Sequence, residues 1–381
     1  MSVLDPILII LATALCIPTT VFVVEALAGS LPRRRPRALA ASRPRVAIVV
    51  PAPDEETGIA QTLATLSPQL CPSDRLIVVA DNCSDQTASI AASAGAEVLE
   101  RHSLTHRGKG YALDHGVRHL AANPPDVVVF VDADCRMGDG AIDRVASLAH
   151  ATGDPIQALY LMHAPDGAGI GTRIAAFAWA VKMQLRAVGL NRLGLPCQLA
   201  GTGMAIPWRL AVGLDLATGH IVEDMKMGVD LAHRGHPPRL CPEAKVESWF
   251  PSSPVGQRNQ RARWEHGHLG VILGEGPRLL LRSVLRLDVR LLALTLDLLV
   301  PPLALLVLSI AGATSLAAVM ALVGQSTLPL ALTLGSGIAL GVTVLMAWIR
   351  VGRHILTPRE LIRIPLYALG KICLLYTSRC V

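Results

Sequence analysis

Three acidic clusters and one basic, aromatic run contain the residues of this sequence that are best suited to chemistry. The clusters are Asp81, Asp132-Ala133-Asp134 and Glu223-Asp224, and the run Gln260-Arg261-Ala262-Arg263-Trp264 follows them. Carboxylates two residues apart can converge on one hard cation. On a helix, the run would place an amide, a guanidinium and an indole on adjacent turns. These groups suit an anionic leaving group and a sugar ring.

Asp132 and Asp134 are therefore candidate ligands of Mg²⁺ or Mn²⁺. Both cations take oxygen ligands and can keep positions for diphosphate oxygens. A cation bound there would offset the charge that develops on a leaving nucleotide diphosphate. The alternative is a solvated acidic turn, which the position directly after an apolar, β-branched run disfavours. For Lys109 two interpretations stay open: a charge near the phosphates, or a solvated loop lysine.

The pair Glu223-Asp224 offers a candidate general base. If an acceptor hydroxyl attacks a sugar, its proton must be removed as the new bond forms, and a carboxylate can accept it. The alternative is an acidic pair that favours the start of a helix. Two further segments also have a purely structural interpretation. Pro51-Ala52-Pro53-Asp54-Glu55-Glu56 is typical of a helix N-cap, and Gly201-Thr202-Gly203 of a tight turn.

The elements that must position these residues are short, β-branched segments separated by helical patterns. RVAIVV at 45–50, RLIVVA at 75–80 and VVVFV at 127–131 are typical of buried parallel strands. Helical patterns follow near 57–66, 84–93, 108–120 and 140–150. The alternation predicts an α/β domain with a mainly parallel, twisted sheet and flanking helices. Ligands bind beyond the carboxyl ends of such strands, so the topology gathers the acidic residues at one edge: Asp54, Asp81, Asp132 and Asp134.

In this order, the acidic clusters and Gln260-x-x-Arg263-Trp264 resemble the membrane-bound family 2 glycosyltransferases, which include cellulose, chitin and hyaluronan synthases. The resemblance covers residues 45–270 and implies a GT-A fold. It implies inverting transfer of a sugar from a nucleotide-diphosphate sugar, most often a UDP-sugar, to a glycan acceptor in polysaccharide synthesis. The family's TED motif stands here as Val222-Glu223-Asp224, which implies that Asp224 is the base, with Glu223 beside it. The valine leaves the orientation of the base open.

The resemblance also divides the other candidate residues between donor and acceptor. The donor side comprises Pro51, Ala52, Asp54, Glu55, Asp81, Lys109, Asp132, Gln260 and Arg263. The acceptor side comprises Trp264, which would stack on a sugar, together with Gly201 and Thr202. Mg²⁺ or Mn²⁺ would bind Asp132 and Asp134.

Three apolar segments are long enough to cross a bilayer, which takes about 20 residues. They lie at 7–28, 298–322 and 328–349, in a chain that is 51% hydrophobic. Asp5 precedes the first segment and arginines follow it, which is the reverse of a cleaved signal peptide. By the positive-inside rule the N-terminus lies outside and the residues from 31 onward lie in the cytoplasm. We therefore expect a multi-pass protein of the plasma membrane, with a cytoplasmic catalytic domain.

The basic run at residues 33–45 suits anionic lipid better than nucleic acid, because it directly follows an apolar segment. We expect no nucleic-acid partner, but we expect a partner in polymer export or secretion.

The expected organisation is a membrane helix at 1–30, a basic linker at 31–44, the glycosyltransferase domain at 45–270, an interfacial segment at 271–297, a membrane hairpin at 298–350 and a cytoplasmic or interfacial tail at 351–381. The segment from Cys373 to Ser378 resembles translated adapter sequence, so we expect a different native C-terminus.

Two alternatives to polysaccharide synthesis remain open. The first is glycosylation of a membrane lipid, which uses the same chemistry on another acceptor. The second is a catalytically inactive membrane scaffold, which the intact Asp134, Asp224 and Trp264 disfavour. A dinucleotide-binding reductase is disfavoured because no GxGxxG follows the first strand.

Overall fold

The computed structural model describes residues 4–32, 43–218 and 222–364. Most of the expected basic linker, the end of the expected tail and the segment from Cys373 lie outside the described residues. The chain divides into two compact units. One takes in Met1–Pro32, Ala164–Leu193 and His268–Val381, and the other takes in Arg33–His163 and Gly194–Gly267, each to the extent that it is described. We call the first the membrane unit, because it contains the three long apolar segments, and the second the catalytic unit, because it contains the candidate site residues.

The helices and strands are numbered in chain order. The strands are β1 (Val46–Ala52), β2 (Arg75–Asp81), β3 (Glu97–Arg101), β4 (Val127–Phe130), β5 (Arg136–Met137), β6 (Ile156–His163), β7 (Met204–Pro207) and β8 (Arg239–Trp249). The helices are α1 (Leu4–Ser30), α2 (Ile59–Leu66), α3 (Thr87–Ser93), α4 (Lys109–Leu120), α5 (Ala141–Thr152), α6 (Ile170–Ala180), α7 (Val188–Arg192), α8 (Trp208–Ala211), α9 (Glu223–His233), α10 (Pro254–Gly274), α11 (Gly276–Leu285), α12 (Val289–Leu298), α13 (Leu303–Leu322), α14 (Leu328–Ala347) and α15 (Pro358–Ile362). A π-helix, Val181–Ala187, joins α6 to α7.

The catalytic unit contains one eight-stranded sheet in the order β3-β2-β1-β4-β7-β6-β8-β5. Its first four strands are parallel to one another, and β6 and β8 are also parallel. The antiparallel pairings are those of β7 with β4 and β6, and of β5 with β8. The prediction of a mainly parallel α/β sheet with flanking helices is confirmed. The apolar runs of β1 and β4 are buried throughout, as expected for strands covered on both faces.

Close packing of α4 on the sheet fixes the position of Lys109 at the start of that helix. Leu113 and Val117 of α4 share a buried cluster with Val49 of β1 and Phe130 of β4. At Gly116 a Cβ atom would lie 2.7 Å from a methyl carbon of Val49. The helix therefore needs glycine at this point to reach the sheet.

Within the described residues, the membrane unit contains three helices that are long and apolar enough to cross a membrane: Leu4–Ser30, Leu303–Leu322 and Leu328–Gly352. The prediction of about three such helices is confirmed. The Cys16 thiol lies 3.2 Å from the Ser336 hydroxyl, which joins α1 to α14. At the start of α1, the Asp5 carboxylate accepts a hydrogen bond of 2.8 Å from the Ser326 backbone N–H.

A buried group of three charges joins α1, the π-helix and α12. Arg186 Nε donates to Glu25 Oε2 at 2.7 Å, and Arg186 Nη2 donates to Asp297 Oδ1 at 2.5 Å. All three side chains are less than a tenth exposed. The backbones pass very close beside this group, because a Cβ at Gly189 would lie 1.9 Å from the Glu25 carbonyl oxygen. The charges therefore sit at a tight helix crossing.

Arg186→Met should destabilise the membrane unit by about 3–5 kcal/mol, because it removes the buried guanidinium that pairs with two buried carboxylates. Thermal unfolding of the detergent-purified chain measures the effect. The triple variant Glu25→Leu, Arg186→Met, Asp297→Leu is the control, since replacing every charge by an apolar side chain removes the unpaired groups. Equal loss of stability in the single and triple variants would contradict the account.

Candidate active site

Lys109 is the cation around which the described acidic residues of the site are arranged. Its Nζ lies 2.5 Å from Asp132 Oδ1 and 4.0 Å from Glu223 Oε1. The same ammonium donates to the Gly201 carbonyl oxygen at 2.8 Å. Burial on its own would lower the pKa of Lys109, but the charges of Asp132 and Glu223 raise it above its ordinary value. Lys109 is therefore a positively charged bridge between segments that follow β4, precede β7 and open α9.

Negative charge accumulates where β1 and β4 end. Partial burial raises the pKa of Glu55 to about 7, and the charges of Asp134 and Asp132 add to the rise. Burial also raises the pKa of Asp132, and Asp134 and Asp224 act in the same direction, while Lys109 opposes them. These shifts show that the carboxylates lie close enough to repel one another. A cation placed among them would relieve that repulsion.

The donor atoms fit a hard divalent cation. The Asp132, Asp134 and Cys135 ligand atoms all lie within 4.8 Å of one another. The Cys135 thiol is buried, and that burial, with the two carboxylate charges, raises its pKa well above the ordinary value. A protonated thiol is a poor ligand, so the two carboxylates are the effective donors. Carboxylate oxygens are the ligands that Mg²⁺ and Mn²⁺ prefer.

Glu223 and Asp224 occupy the first turn of α9, where the helix dipole favours negative charge. Burial raises the pKa of Glu223, the neighbouring Asp224 adds to the rise, and Lys109 opposes it. Asp224 Oδ1 accepts a hydrogen bond of 2.7 Å from the Met225 backbone N–H. Asp224 Oδ2 points towards Gly201, since it lies 3.3 Å from the position that a Cβ would take there.

Gly201 and Thr202 lie in the segment before β7 and link the base candidates to the metal candidates. Gly201 has a φ of +87°, a conformation that favours glycine. A Cβ added to it would contact Lys109 Nζ at 3.4 Å as well as Asp224. The buried Thr202 hydroxyl accepts a hydrogen bond of 3.1 Å from the Asp132 backbone N–H. The two residues therefore contact Lys109 and Asp132 directly and lie beside Asp224.

The ends of β1 and β2 are tied together by the candidate donor residues. Pro51 and Ala52 are buried at the end of β1. Asp54 has a φ of +47°, and its Oδ1 accepts a hydrogen bond of 2.7 Å from the Ser84 backbone N–H. Glu55 donates its backbone N–H to the Thr87 hydroxyl at 2.7 Å. The Asp54 carboxylate thus shapes the loop as well as adding charge to it.

Asp81 is paired with Arg101, a residue that the sequence did not single out. Arg101 Nη1 lies 2.5 Å from Asp81 Oδ1, in register across β2 and β3. Arg101 also donates to the His106 carbonyl oxygen at 2.6 Å, and its guanidinium lies 5.5 Å from the centroid of the Tyr111 ring. Asp81 therefore holds the loop before α4 through Arg101.

The helix α10 carries the basic, aromatic run. Trp264 is half-buried and packs edge-on against Phe250, with ring centroids 6.3 Å apart. Gln260 is half-buried one turn earlier, and Arg263 is exposed. One edge of the indole thus contacts protein, while the guanidinium faces solvent.

Comparison with known proteins supports a single family. Residues 44–267, more than half of the chain, match the family described as "Glycosyltransferase like family 2". The chain is 39% identical over 95 residues to a glucosyl-3-phosphoglycerate synthase of Mycolicibacterium paratuberculosis. The aligned region covers 23% of this chain and 28% of that protein. It is 38% identical over 90 residues to a 4,4'-diaponeurosporenoate glycosyltransferase of Staphylococcus aureus, which covers 23% of each. The chain thus spans about a quarter of the length of the curated relatives it matches.

The fold is similar to that of a solved structure titled mannosyltransferase PcManGT from Pyrobaculum calidifontis in complex with GDP-Man and Mn²⁺. The TM-score is 0.55 at 17% identity, and the match covers 95% of this chain and 99% of that one. At this identity the likeness concerns the fold. Together with the family match over the catalytic unit, it identifies the chain as a GT-A-type glycosyltransferase that belongs to the glycosyltransferase-like family 2.

Proposed function

We propose that this glycosyltransferase catalyses inverting, metal-dependent transfer of a sugar from a nucleotide-diphosphate sugar to a glycan acceptor in polysaccharide synthesis. Among the nucleotide-diphosphate sugars, a UDP-sugar is the first candidate donor. One observation carries the proposal: the carboxylates of Asp132 and Glu223 meet at Lys109, with Asp134 and Asp224 beside them. This arrangement brings candidate metal ligands and a candidate base to a single site.

Asp132 and Asp134 would hold Mg²⁺ or Mn²⁺, which would offset charge on the departing diphosphate. Burial raises the pKa of Glu55, and the charges of Asp134 and Asp132 add to the rise; this crowding of carboxylates supports the role. The mannosyltransferase of similar fold was solved in complex with GDP-Man and Mn²⁺, which agrees with this role. Lys109 would add a second positive charge close to the diphosphate.

Asp224 would act as the general base. As the acceptor oxygen forms its bond to the anomeric carbon, Asp224 accepts the hydroxyl proton, and the bond from that carbon to the diphosphate oxygen breaks. One displacement of this kind inverts the anomeric centre. Glu223 is the less suitable of the pair, because its carboxylate already lies 4.0 Å from the Lys109 ammonium.

The other residues divide between donor and acceptor. Pro51, Ala52, Asp54, Glu55 and Asp81 would line the nucleobase and ribose, where the ends of β1 and β2 meet. Arg263 would neutralise diphosphate, and Gln260 would hydrogen-bond to it. Trp264 would stack on the acceptor sugar, near Gly201 and Thr202.

A membrane lipid is the second candidate acceptor. The three helices of the membrane unit that are apolar enough to span a bilayer favour it, because they allow an acceptor to be held at the membrane surface. The S. aureus relative is named for transfer to diaponeurosporenoate, which agrees with this alternative. In either case we propose a catalytic unit on the cytoplasmic face of the plasma membrane and an N-terminus outside. A partner protein for polymer export is proposed only for the case in which the acceptor is a glycan.

The metal and base assignments can be tested with a panel of radiolabelled UDP- and GDP-sugars, supplied with and without membrane lipid. Transfer should require Mg²⁺ or Mn²⁺, and Asp134→Ala should abolish it. Asp224→Asn keeps the shape of the side chain but cannot accept the proton, so transfer should fall by about 10²–10⁴-fold while nucleotide still binds. Full activity in chelator would refute the metal site, and wild-type turnover of Asp224→Asn would move the base to Glu223. Extraction of the product into organic solvent or water separates lipid from glycan.

Gly201→Ala should lower the rate of sugar transfer strongly while lowering the thermal midpoint only slightly. The new methyl group would press against Asp224 and Lys109, and the positive φ adds about 1–2 kcal/mol of strain. Gly235→Ala is a matched control, because Gly235 has the same φ of +87° but no heavy atom within 4 Å of an added Cβ. Transfer rates and thermal midpoints of both variants decide the matter. If both lose activity equally, strain alone explains the effect.

Trp264→Ala and Arg263→Ala should separate acceptor binding from donor binding. Without the indole, transfer should weaken while nucleotide binding stays nearly intact. Without the guanidinium, the affinity for nucleotide diphosphate should fall, since a charge-assisted contact is lost. Calorimetric titration of UDP and GDP, combined with transfer rates, distinguishes the two roles. Equal loss of nucleotide affinity and thermal stability in both variants would instead indicate that the run only packs the helix.

A further inference from the structure

Gln157 is a fully buried amide in the middle of the sheet, and the mechanism described so far does not involve it. The residue is 0% exposed and lies on β6, opposite Met204 of β7 and Leu240 of β8. Burying an amide costs free energy unless its polar atoms are hydrogen-bonded. The partners of Gln157 therefore indicate what this side chain holds in place.

Those partners include both ends of the segment Ala200–Thr202, which lies directly before β7. Gln157 Oε1 accepts a hydrogen bond of 2.8 Å from the Ala200 backbone N–H. Gln157 Nε2 donates to the Thr202 carbonyl oxygen at 2.8 Å and to the Ala158 carbonyl oxygen at 2.9 Å. Both amide hydrogens are used, so exchanging the oxygen and nitrogen would set donor against donor and acceptor against acceptor.

The segment held in this way contacts the active site at each of its central groups. The Gly201 carbonyl oxygen accepts from Lys109, and the Gly201 α-carbon faces Asp224. The Thr202 hydroxyl accepts from the Asp132 backbone N–H. A shift of the segment would therefore move a candidate metal ligand, the cation beside it and the candidate base relative to one another.

We propose that Gln157 is a positioning residue for sugar transfer: its amide fixes the backbone of Ala200–Thr202 and thereby the alignment of Asp132 with Asp224. The inference rests on the proposed function, because the roles of these two carboxylates come from it. Gln157 contacts neither carboxylate itself and acts through Gly201 and Thr202.

The variant Gln157→Glu tests this with little change of volume. The acceptor for Ala200 remains, but an oxygen now faces the carbonyl oxygens of Thr202 and Ala158. A displacement of about 1 Å at a reacting group can lower the rate about 10²-fold. We expect kcat for transfer to fall about ten- to hundredfold. At saturating Mn²⁺ the KM for donor should change less than kcat, because the nucleoside side lies at β1 and β2. The Mn²⁺ concentration that gives half-maximal binding should rise.

Gln69→Glu is the control. The half-buried Gln69 amide also makes contacts at both of its ends, since its Nε2 donates to the Thr65 carbonyl oxygen at 2.8 Å and its Oε1 accepts from the Ile142 N–H at 3.3 Å. None of these partners belongs to Ala200–Thr202. The same substitution there should lower the thermal midpoint but leave kcat and Mn²⁺ binding unchanged.

The experiment uses the full chain purified in detergent. Binding of Mn²⁺ alone is followed by loss of the free-ion electron paramagnetic resonance signal, transfer is followed with UDP-glucose and GDP-mannose, and unfolding is followed by heating. The inference is supported if Gln157→Glu loses kcat and Mn²⁺ affinity while Gln69→Glu, at a similar thermal midpoint, loses neither. It is overturned if Gln157→Glu keeps wild-type kcat and Mn²⁺ affinity, or if both variants lose activity in proportion to stability.

A second pair of variants covers the case in which Gln157→Glu does not fold. Thr202→Val removes the hydroxyl that accepts from Asp132 at nearly constant volume, whereas Thr202→Ser keeps it. The valine variant should lose kcat and Mn²⁺ affinity, and the serine variant should retain more of the Mn²⁺ affinity than the valine variant does. Equal Mn²⁺ affinity in the two variants overturns the inference. Failure of the proposed function looks different, since Asp134→Ala would then retain transfer in chelator whatever happens at Gln157.

Discussion

Repulsion between carboxylates at the carboxyl end of the sheet is the constraint on which the catalytic unit depends. Burial raises the pKa of Glu55 and of Asp132, and the charges of neighbouring carboxylates add to both rises: Asp134 and Asp132 act on Glu55, and Asp134 and Asp224 act on Asp132. Lys109 offsets part of this charge through Asp132 and Glu223. Repulsion between carboxylates at a partly buried site costs stability, so a bound metal ion would stabilise the site by offsetting the negative charge that Lys109 leaves uncompensated. The arrangement therefore suits the metal site proposed at Asp132 and Asp134.

Much of this arrangement could be predicted because its causes are local in sequence. A buried strand reads as a continuous apolar run, and an acid that follows such a run must lie at the ligand-binding edge of a parallel sheet. Asp132, Asp134 and the opening of α9 by Glu223 could be recognised in this way. Lys109 remained ambiguous, because its sequence neighbourhood is compatible with a solvated loop. Its contact with Gly201 joins residues 92 positions apart.

The features that sequence reasoning missed are those with distant causes. Arg101 lies on β3, a short strand with charged residues at both ends that has no apolar signature, so its pairing with Asp81 could not be foreseen. Gln157 stands in an apolar run, and its partners are 43 and 45 positions away. In the membrane unit, hydropathy predicted the long helices. The partnership of Arg186 with Glu25 and Asp297 depends on residues 161 and 111 positions away.

Val222, which stands directly before the candidate base pair Glu223-Asp224, has a clear packing role. At Gly267 a Cβ atom would lie only 2.4 Å from a methyl carbon of Val222, so this side chain packs directly on the backbone of α10. Trp264 lies on the same helix less than one turn earlier. A hydroxyl could orient the neighbouring base by a hydrogen bond, whereas a methyl group can do so only by close packing. In this chain the start of α9 is therefore set against the helix of the basic, aromatic run by steric contact. Because close-packed interiors leave little free space, this contact limits how far α10 and the start of α9 can move relative to each other at Val222 and Gly267.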